Sequence, residues 1–283
     1  MTISEWLKHA RERLTETGCP DPDIDARWIA EDGLGMSRQA LVFEGDGAIP
    51  RDRLYQLEAM LDRRATGEPV QYILGTADFM GLRFRVNESV LIPRQDTETL
   101  VEAALIELRQ RPGSPALLDL CCGSGCVGLS LASLAPHARV TLADISPQAL
   151  EVARANEKAL GVKAELKQGD LFAPLGRERF DVIAANPPYI PSGDLQSLQR
   201  EVRFEPVLAL DGGADGLDFY RRIAQEAPDR LNPGGVLFAE VGIGQAPDVL
   251  ALFKASLPCT QAGTVKDLNG VERVVFGKTS NGE

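Results

Sequence analysis

The chain contains few of the residues that metal sites, disulfide frameworks and histidine catalysis require. It has two histidines and five cysteines among its 283 residues. An odd cysteine count in a chain of this length argues against a disulfide framework, and the cluster of Cys121, Cys122 and Cys126 lacks the ligand spacing of a zinc site. We therefore predict no metal site and interpret the cysteines as small, buried residues.

Long apolar segments and an excess of basic residues are also absent. No run of about 18 apolar residues occurs, and charged residues between Glu5 and Glu12 interrupt the segment where a secretory signal would be apolar. The formal net charge is −11, whereas a general binder of nucleic-acid phosphates presents a basic surface. We expect a cytoplasmic protein that is monomeric and binds neither a membrane nor nucleic acid directly.

Residues 1–67 are predicted to form a small helical domain. Apolar residues over Ile3–Leu14 recur at the i, i+3, i+4 spacing of an amphipathic helix, and similar patterns follow it. The pattern changes over residues 68–93, where Val70–Gly75 and the apolar residues after it have the character of strands. We predict a β-hairpin linker over residues 68–93, followed by a second domain over residues 94–283.

Strands and helices alternate from Ala116 onward, which predicts βαβ units around a parallel sheet. The strand-like runs are Ala116–Leu120, Arg139–Ile145, Lys163–Gln168, Asp181–Ala185 and Gly235–Val241. Asn269-Gly270 then separates two further strand-like runs, and Asn-Gly is a strong signal for a two-residue hairpin. The predicted fold class is α/β, with a parallel sheet that ends in an antiparallel hairpin and follows a small helical domain.

A loop with two glycines joins the first of these strands to the next helix. It reads Asp119-Leu120-Cys121-Cys122-Gly123-Ser124-Gly125. Gly123 and Gly125 allow a tight turn and the close approach of a ligand to the backbone, as in nucleotide-binding loops. Because position 121 is not glycine, the loop does not match the dinucleotide fingerprint. A plain βα turn is the alternative interpretation.

Acidic residues after the next two strands favour a nucleotide-like ligand. Asp144 ends the second strand about 20 residues beyond the glycines, where an acidic side chain accepts hydrogen bonds from ribose hydroxyls. Its alternative role is helix capping, but Ser146 and Pro147 already provide an N-cap and N1 pair, which leaves Asp144 for the ligand. Asp170 and Leu171 follow the third strand and are candidates for an adenine pocket, with a simple loop as the alternative.

The quartet Asn186-Pro187-Pro188-Tyr189 follows the apolar run before it, at the carboxyl end of a predicted strand. Ligands of open α/β sheets bind at such ends. The two prolines stiffen the corner and remove backbone donors, so the Asn186 side-chain oxygen and the Pro187 carbonyl are presented as acceptors. Tyr189 adds a flat ring beside them. The arrangement fits a planar –NH2 group, from an amide or an exocyclic amine, and the alternative is an ordinary strand-terminating turn.

These motifs together resemble class I S-adenosylmethionine-dependent methyltransferases that act on amide or amine nitrogen. More specifically, the chain is similar to the peptide chain release factor glutamine methyltransferases over nearly its whole length. Besides the loop and the quartet, the similarity includes Gln71–Gly75, Leu91–Glu98, Glu205–Pro206, Asp215–Leu217, Glu240–Gly242 and Lys266–Leu268. The chain departs from the family at Cys121, where relatives usually have glycine, and at Leu171, where an aromatic residue is frequent.

The resemblance implies a Rossmann-like class I methyltransferase sheet that uses S-adenosyl-L-methionine, forms S-adenosyl-L-homocysteine and needs no metal. The implied substrate is a glutamine side-chain amide in class I peptide chain release factors, recognised by the helical domain and the 191–204 loop. The implied cofactor-binding residues are Asp119, Cys121, Cys122, Gly123, Ser124, Gly125, Asp144, Asp170, Leu171 and Asn186. The implied catalytic residues are Asn186, Pro187 and Tyr189, which bind the substrate together with Pro188.

Other functions fit parts of the same pattern. A ribosomal-protein glutamine methyltransferase or a nucleic-acid adenine methyltransferase would use the same quartet, although the acidic net charge disfavours nucleic acid. A non-enzymatic adaptor would not need both an intact quartet and Asp144. A nicotinamide-dependent oxidoreductase would have glycine at position 121 and would lack the terminal hairpin.

Overall fold

The structure is a computed structural model that describes residues 1–281 and divides them into two compact units. The helical unit contains Met1–Thr76 together with Gln199–Phe204. The sheet unit contains Ala77–Leu198 and the described chain from Glu205 onward. Within residues 1–281, no helix has the length and apolar character needed to cross a membrane.

The helical character predicted for the N-terminal region is confirmed. Its helices are α1 (Ile3–Glu16), α2 (Pro22–Leu34), α3 (Arg38–Phe43), α4 (Arg51–Ala65) and α5 (Val70–Leu74). Thr2 and Glu5 form a capping box at α1, and Ser37 caps α3 by accepting from the Ala40 N–H. These side chains satisfy backbone donors that a helix start otherwise leaves without partners. The predicted apolar stripe of α1 packs inward, with Trp6 fully buried.

The interpretation of Val70–Gly75 as a strand is wrong, because Val70–Leu74 is the helix α5. Pro69 precedes its first turn, and Gly75 ends it in the left-handed conformation at φ 72°. Val70 and Ile73 are buried in the core of the helical unit. A short apolar run has no periodicity that distinguishes a buried strand from a buried helical turn, and here packing against the other helices decides the structure.

The predicted hairpin is present, but it is shorter than residues 68–93. It consists of β1 (Thr76–Phe79) and β2 (Leu82–Arg85). Met80 and Gly81 form the two-residue turn, and both have positive φ, 51° and 72°. Positive φ at both central residues is typical of the tight turn that matches the twist of antiparallel strands.

A buried cation fixes residues 199–204 within the helical unit. Arg64 on α4 is 4% exposed, and its Nε donates to a carboxylate oxygen of Asp25 on α2 over 2.6 Å. Its Nη2 donates to Glu201 over 2.9 Å and to the Cys19 sulfur over 3.1 Å. Because a buried guanidinium is stable only when it is paired, Arg64 holds Glu201 beside the helices.

The sheet unit alternates strands and helices as predicted. Its first part contains α6 (Glu98–Gln110), β3 (Ala116–Leu120), α7 (Cys126–Leu134), β4 (Arg139–Asp144), α8 (Pro147–Leu160), β5 (Glu165–Gln168) and β6 (Phe180–Ala185). Its second part contains α9 (Asp218–Glu226), β7 (Leu231–Glu240), α10 (Ala246–Ser256), β8 (Cys259–Lys266) and β9 (Glu272–Thr279). The predicted bounds of β3 are those observed, whereas β7 begins at Leu231 rather than Gly235.

The seven-stranded sheet has the order β5-β4-β3-β6-β7-β9-β8. β3 to β7 pair in parallel, and β9 runs antiparallel to both of its neighbours, which confirms the predicted terminal hairpin. The chain leaves β3 toward β4 and β5, then returns to the other side of β3 with β6 and β7. This reversal creates a crevice at the carboxyl ends of the central strands, where such sheets bind ligands.

Both faces of the sheet are covered by helices, as expected for a parallel sheet. Leu117 of β3 belongs to the core formed with α6, α7 and α8, whereas Leu118 belongs to the core formed with α9 and α10. Successive strand residues point to opposite faces, so the two apolar cores hold β3 rigidly between them. The loop after β3 is therefore anchored on a fully buried strand.

Candidate active site

A cavity of about 400 Å³ lies at the carboxyl ends of β3, β4 and β6. Most of the predicted site residues line it, namely Asp119, Cys121, Cys122, Gly123, Ser124, Asp144, Asp170, Leu171, Asn186 and Pro188. Gly125, Pro187 and Tyr189 are not part of its wall. The volume lies in the range of small-molecule sites, and one cavity thus brings together the loop, the acidic residues and the start of the quartet.

The backbone of the loop after β3 has an unusual conformation. Cys121 has φ 60°, a left-handed value that glycine adopts without strain and that costs other residues about 1–3 kcal/mol. Gly123 also has positive φ, and a side chain there would meet no atom within 4 Å. A side chain on Gly125 would approach Leu142 to 3.2 Å. Gly123 therefore leaves room for a ligand, whereas Gly125 allows α7 to pack against the sheet.

Asp144 at the end of β4 holds this loop in place. Its Oδ2 accepts from the Gly123 N–H over 2.8 Å, and its Oδ1 accepts from the Ser146 N–H over 2.9 Å. Burial raises the pKa of the carboxyl, while these backbone donors lower it. Ser146 caps α8 as predicted, and Asp144 also holds the loop through Gly123, a role that the sequence did not indicate. Asp144 combines a structural role with a position in the cavity wall.

Asp119 is more deeply buried than a ligand-binding carboxylate usually is. It is 1% exposed, and its Oδ2 accepts from the Gly128 N–H of α7 over 2.8 Å. Burial is the main cause that raises the pKa of Asp119 to about 7. Its side chain joins β3 to the first turns of α7, and this connection positions the loop between them.

The wall near Asp170 includes a cation that the sequence analysis did not identify. Asp170 accepts from Nη2 of Arg222 on α9 over 2.7 Å, and Arg222 also lines the cavity. Leu171, the next residue, has φ 47° and is buried. Left-handed backbone at a non-glycine residue requires support from its surroundings, and the buried Leu171 side chain supplies it.

The quartet begins directly where β6 ends. Asn186 lines the cavity, and its Nδ2 donates to Oγ1 of Thr97 over 3.3 Å. Pro187 and Pro188 are buried. The Tyr189 carbonyl accepts from Nε2 of Gln245 over 2.9 Å, and burial raises the pKa of the Tyr189 phenol to about 12. The corner is thus held from outside the quartet, by Thr97 on one side and Gln245 on the other.

Sequence reasoning missed the residues that support this site. Thr97, Gln245 and Arg222 come from distant parts of the chain and carry no local signal. Glu240 does carry one, because it ends β7 just as Asp144 ends β4 and Asn186 follows β6. A polar residue at the carboxyl end of a central parallel strand is a ligand-site candidate.

A second buried carboxylate, that of Glu205, joins two segments of the cavity wall. Glu205 is 4% exposed, its Oε2 accepts from the Ile92 N–H over 3.1 Å, and its Oε1 accepts from Arg94. Burial raises its pKa, while the charge of Arg94 lowers it. Arg94 and Pro206 both line the cavity. This ion pair joins two wall segments that are about a hundred residues apart in sequence, and therefore stabilises the shape of the cavity.

Family models and curated relatives both match this chain over most of its length. A family model described as PrmC N-terminal domain matches residues 5–75, and one described as Methyltransferase small domain matches residues 97–201. A release factor glutamine methyltransferase from Geobacter sulfurreducens is 46% identical over 278 residues, which is 98% of this chain and 96% of that protein. A protein of the same description from Moorella thermoacetica is 42% identical over 90% of each chain.

Similarity to solved structures extends to more distant proteins. A methyltransferase from Pyrococcus furiosus superposes with a TM-score of 0.53 over 71% of this chain and 91% of that one, at 17% identity. At this identity the likeness supports the fold alone.

Proposed function

The chain belongs to the release factor glutamine methyltransferase family, and on that premise we propose that it transfers a methyl group from S-adenosyl-L-methionine to the side-chain amide nitrogen of a glutamine in class I peptide chain release factors. The observation that carries the proposal is the position of Asn186 in the cavity wall at the end of β6. Its –NH2 group is engaged by Thr97. Its Oδ1 is therefore the atom available to a substrate.

The cavity residues fit the proposed cofactor. The left-handed backbone at Cys121 and the open space beside Gly123 let a ligand approach the loop closely. Asp144 offers carboxylate lone pairs for ribose hydroxyls, and we assign the adenine to Asp170 and Leu171 because both line the same cavity. When bound, the cofactor supplies a methyl group that its sulfonium has already activated. The residues of this chain supply binding and orientation.

The quartet orients a poor nucleophile. An amide nitrogen reacts slowly because its lone pair is delocalised into the carbonyl group. In this proposal Asn186 Oδ1 in the cavity wall and the Pro187 carbonyl, which lies outside that wall, accept from its two N–H groups and favour charge that develops on nitrogen. The Tyr189 ring, also outside the wall, is proposed to stack on the amide plane. Fixed geometry of this kind supplies about 7–11 kcal/mol in favourable intramolecular reactions, so no histidine base is required.

The same geometry rejects glutamate. A carboxylate would place oxygen atoms against two acceptors and leave them without donors. Sites built to hydrogen-bond a group reject a ligand that lacks it by about 10⁴-fold or more. The quartet thus selects an amide over an acid of nearly identical shape.

Recognition of the whole protein substrate is assigned to the helical unit and the 191–204 loop. Residues 199–204 of that loop belong to the helical unit, where Arg64 binds Glu201. One compact unit therefore contains the helices and the last six residues of the loop, both of which are expected to contact the release factor. Large apolar side chains on it are exposed, with Phe43 at 87% and Tyr55 at 71%. Exposed apolar side chains of this size are common at protein interaction sites.

The function is tested by methyl transfer from labelled S-adenosyl-L-methionine to a purified class I release factor, with mass spectrometry to locate the product. We expect one added methyl group on the loop glutamine and none on a variant substrate with glutamate there. Asn186→Ala should abolish turnover while cofactor affinity changes little. Transfer to a ribosomal protein or to nucleic acid, but not to the release factor, would refute the substrate. Undiminished turnover by Asn186→Ala would refute the role of the quartet.

A further inference from the structure

The Gln245 side chain binds three separate backbone groups of the sheet unit. Gln245 lies directly before α10, and its Oε1 accepts from the Gly242 N–H over 2.9 Å. Its Nε2 donates to the Tyr189 carbonyl over 2.9 Å and to the Gly216 carbonyl over 3.4 Å. One side-chain amide therefore connects the end of the quartet to the loop before α9 and to the loop before α10.

The partners of this amide determine its orientation. Gly242 offers an N–H, which needs an acceptor, whereas Tyr189 and Gly216 offer carbonyls, which need donors. A rotation of the amide by half a turn would place –NH2 against an N–H and oxygen against two carbonyls. The Gln245 N–H also donates to the Gly242 carbonyl over 3.1 Å, so its backbone and its side chain close the same turn. Gln245 is thus held in one hydrogen-bonding arrangement.

Three glycines leave the space that Tyr189 and Gln245 occupy. A Cβ at Gly212 would lie 2.7 Å from Tyr189 Cα, and one at Gly216 would lie 2.3 Å from the Tyr189 carbonyl oxygen. A Cβ at Gly242 would lie 2.8 Å from Gln245 Oε1 and 3.1 Å from Tyr189 Cδ2. Such a close approach of backbone to backbone requires residues without a side chain. We call Gln245 and these three glycines the Tyr189 socket.

The backbone bonds around the socket differ between the carbonyls of this segment. The Tyr189 carbonyl accepts from Gln245, and the next one, that of Ile190, accepts from the Gly212 N–H over 2.8 Å. The Pro187 carbonyl accepts no hydrogen bond from any residue in the described range 1–281. Because the prolines of the quartet have no N–H, β6 anchors this corner on one side and the socket anchors it on the other.

We propose that Gln245 is a positioning residue, which holds the Tyr189 peptide and thereby sets the directions of the Pro187 carbonyl and the Tyr189 ring. The proposal rests on the function proposed above, in which these two groups orient the substrate amide. Without the donor of Gln245, the Tyr189 carbonyl loses its partner and the peptide can rotate. A displacement of about 1 Å at a reacting group can cost about 100-fold in rate.

The test compares variants of the full chain by kcat and by cofactor Kd, with a class I release factor as substrate. Gln245→Glu keeps the shape and can accept from the Gly242 N–H, but its carboxylate cannot donate to the Tyr189 carbonyl. Gln245→Met has a similar length and removes the donor without adding charge. We expect kcat to fall about 100-fold in both, while cofactor Kd stays near the wild-type value. Exposed Gln261→Glu on β8 adds the same charge and should keep the wild-type kcat.

Hydrogen exchange measures the socket without any substrate. The Ile190 N–H donates to the Leu210 carbonyl over 2.9 Å, and the Ser192 N–H donates to the Gly213 carbonyl over 2.9 Å. Release of the Tyr189 carbonyl should weaken both bonds, because they directly follow it in the chain. The Ile190 and Ser192 amides should therefore lose protection in the two Gln245 variants, whereas the amides of the buried strand β3 should keep theirs.

Two results would overturn the positioning role. One is a wild-type kcat in both Gln245 variants, and the other is a rise in cofactor Kd as large as the fall in kcat, which would indicate a general disturbance of the site. Failure of the proposed function is a separate result, because it appears as activity of Asn186→Ala or as no transfer to the release factor by wild type. In that case, unchanged exchange at Ile190 and Ser192 in the variants would still reject the socket, and lost protection would still support it.

Discussion

The Asp144 carboxylate accepts a hydrogen bond from the Gly123 N–H over 2.8 Å, so the end of β4 fixes the loop that follows β3. Asp144→Ala should therefore weaken cofactor binding in two ways, by removing a ribose acceptor and by releasing the loop. We expect the Kd for S-adenosyl-L-methionine to rise at least about tenfold, the equivalent of 1.4 kcal/mol. Titration calorimetry measures it, with exposed Glu151→Ala on α8 as the control. An unchanged Kd would reject both roles of Asp144.

The left-handed backbone at Cys121 gives a prediction about stability. Glycine adopts φ 60° without strain, whereas alanine retains the strain and both substitutions remove the sulfur. Cys121→Gly should therefore be more stable than Cys121→Ala by about 1 kcal/mol in urea unfolding. The comparison between the two variants isolates the backbone from the side chain. If the alanine variant is the more stable, strain at position 121 is not significant.

The buried Asp119 carboxyl predicts a pH-dependent effect on stability. Burial raises its pKa from 3.8 to about 7, so the folded state binds a proton more tightly than the unfolded chain does. Ionisation therefore costs stability as the pH rises from 4 toward 7, and the full cost is present above 7. Asp119→Asn stays neutral and can still accept from the Gly128 N–H.

The measurement is the free energy of unfolding of Asp119→Asn relative to wild type, at pH 5 and at pH 8. We expect the relative stability of the variant to increase by about 3 kcal/mol between these values. Any constant packing cost of the substitution cancels in this difference. A difference that does not depend on pH would show that Asp119 titrates normally in the folded protein.

The Arg64 pairs predict a large loss of stability in the helical unit. Arg64→Met removes the cation and leaves the Asp25 carboxylate, which is 5% exposed, without its main partner. Removing one member of a buried ion pair typically costs about 3–5 kcal/mol. Thermal unfolding should show a clear decrease in Tm, while exposed Arg51→Met on the same helix should have little effect. Equal Tm values for the two variants would contradict the structural role of Arg64.

The sequence predicted those features that local pattern and strand topology determine. The bounds of β3, the cap at Ser146 and the position of Asp144 at a strand end all follow from residues close together in the chain. The helix at Val70–Leu74 did not, because a five-residue apolar segment takes its conformation from the helices it packs against. Tertiary context overrides propensity most easily in such short segments.

The supporting contacts of the site were beyond sequence reasoning for a different reason. Thr97 and Asn186 are 89 residues apart, and Tyr189 and Gln245 are 56 apart. No periodicity or motif relates such pairs, since the folded sheet alone brings them together. The quartet indicated that the Asn186 side-chain oxygen and the Pro187 carbonyl are presented as acceptors. The fold shows that Thr97 and Gln245 hold the quartet in place.

The pairing of Arg64 with Glu201 has a consequence for biosynthesis. The ribosome makes the five helices of this unit, including Asp25, before residues 199–204, but Glu201, the second carboxylate partner of Arg64, is made 137 positions after it, when most of the sheet strands already exist. A nascent chain that has emerged only as far as the hairpin therefore carries Arg64 without Glu201. The N-terminal unit reaches its final form late in translation, even though nearly all of its residues are synthesised at the start.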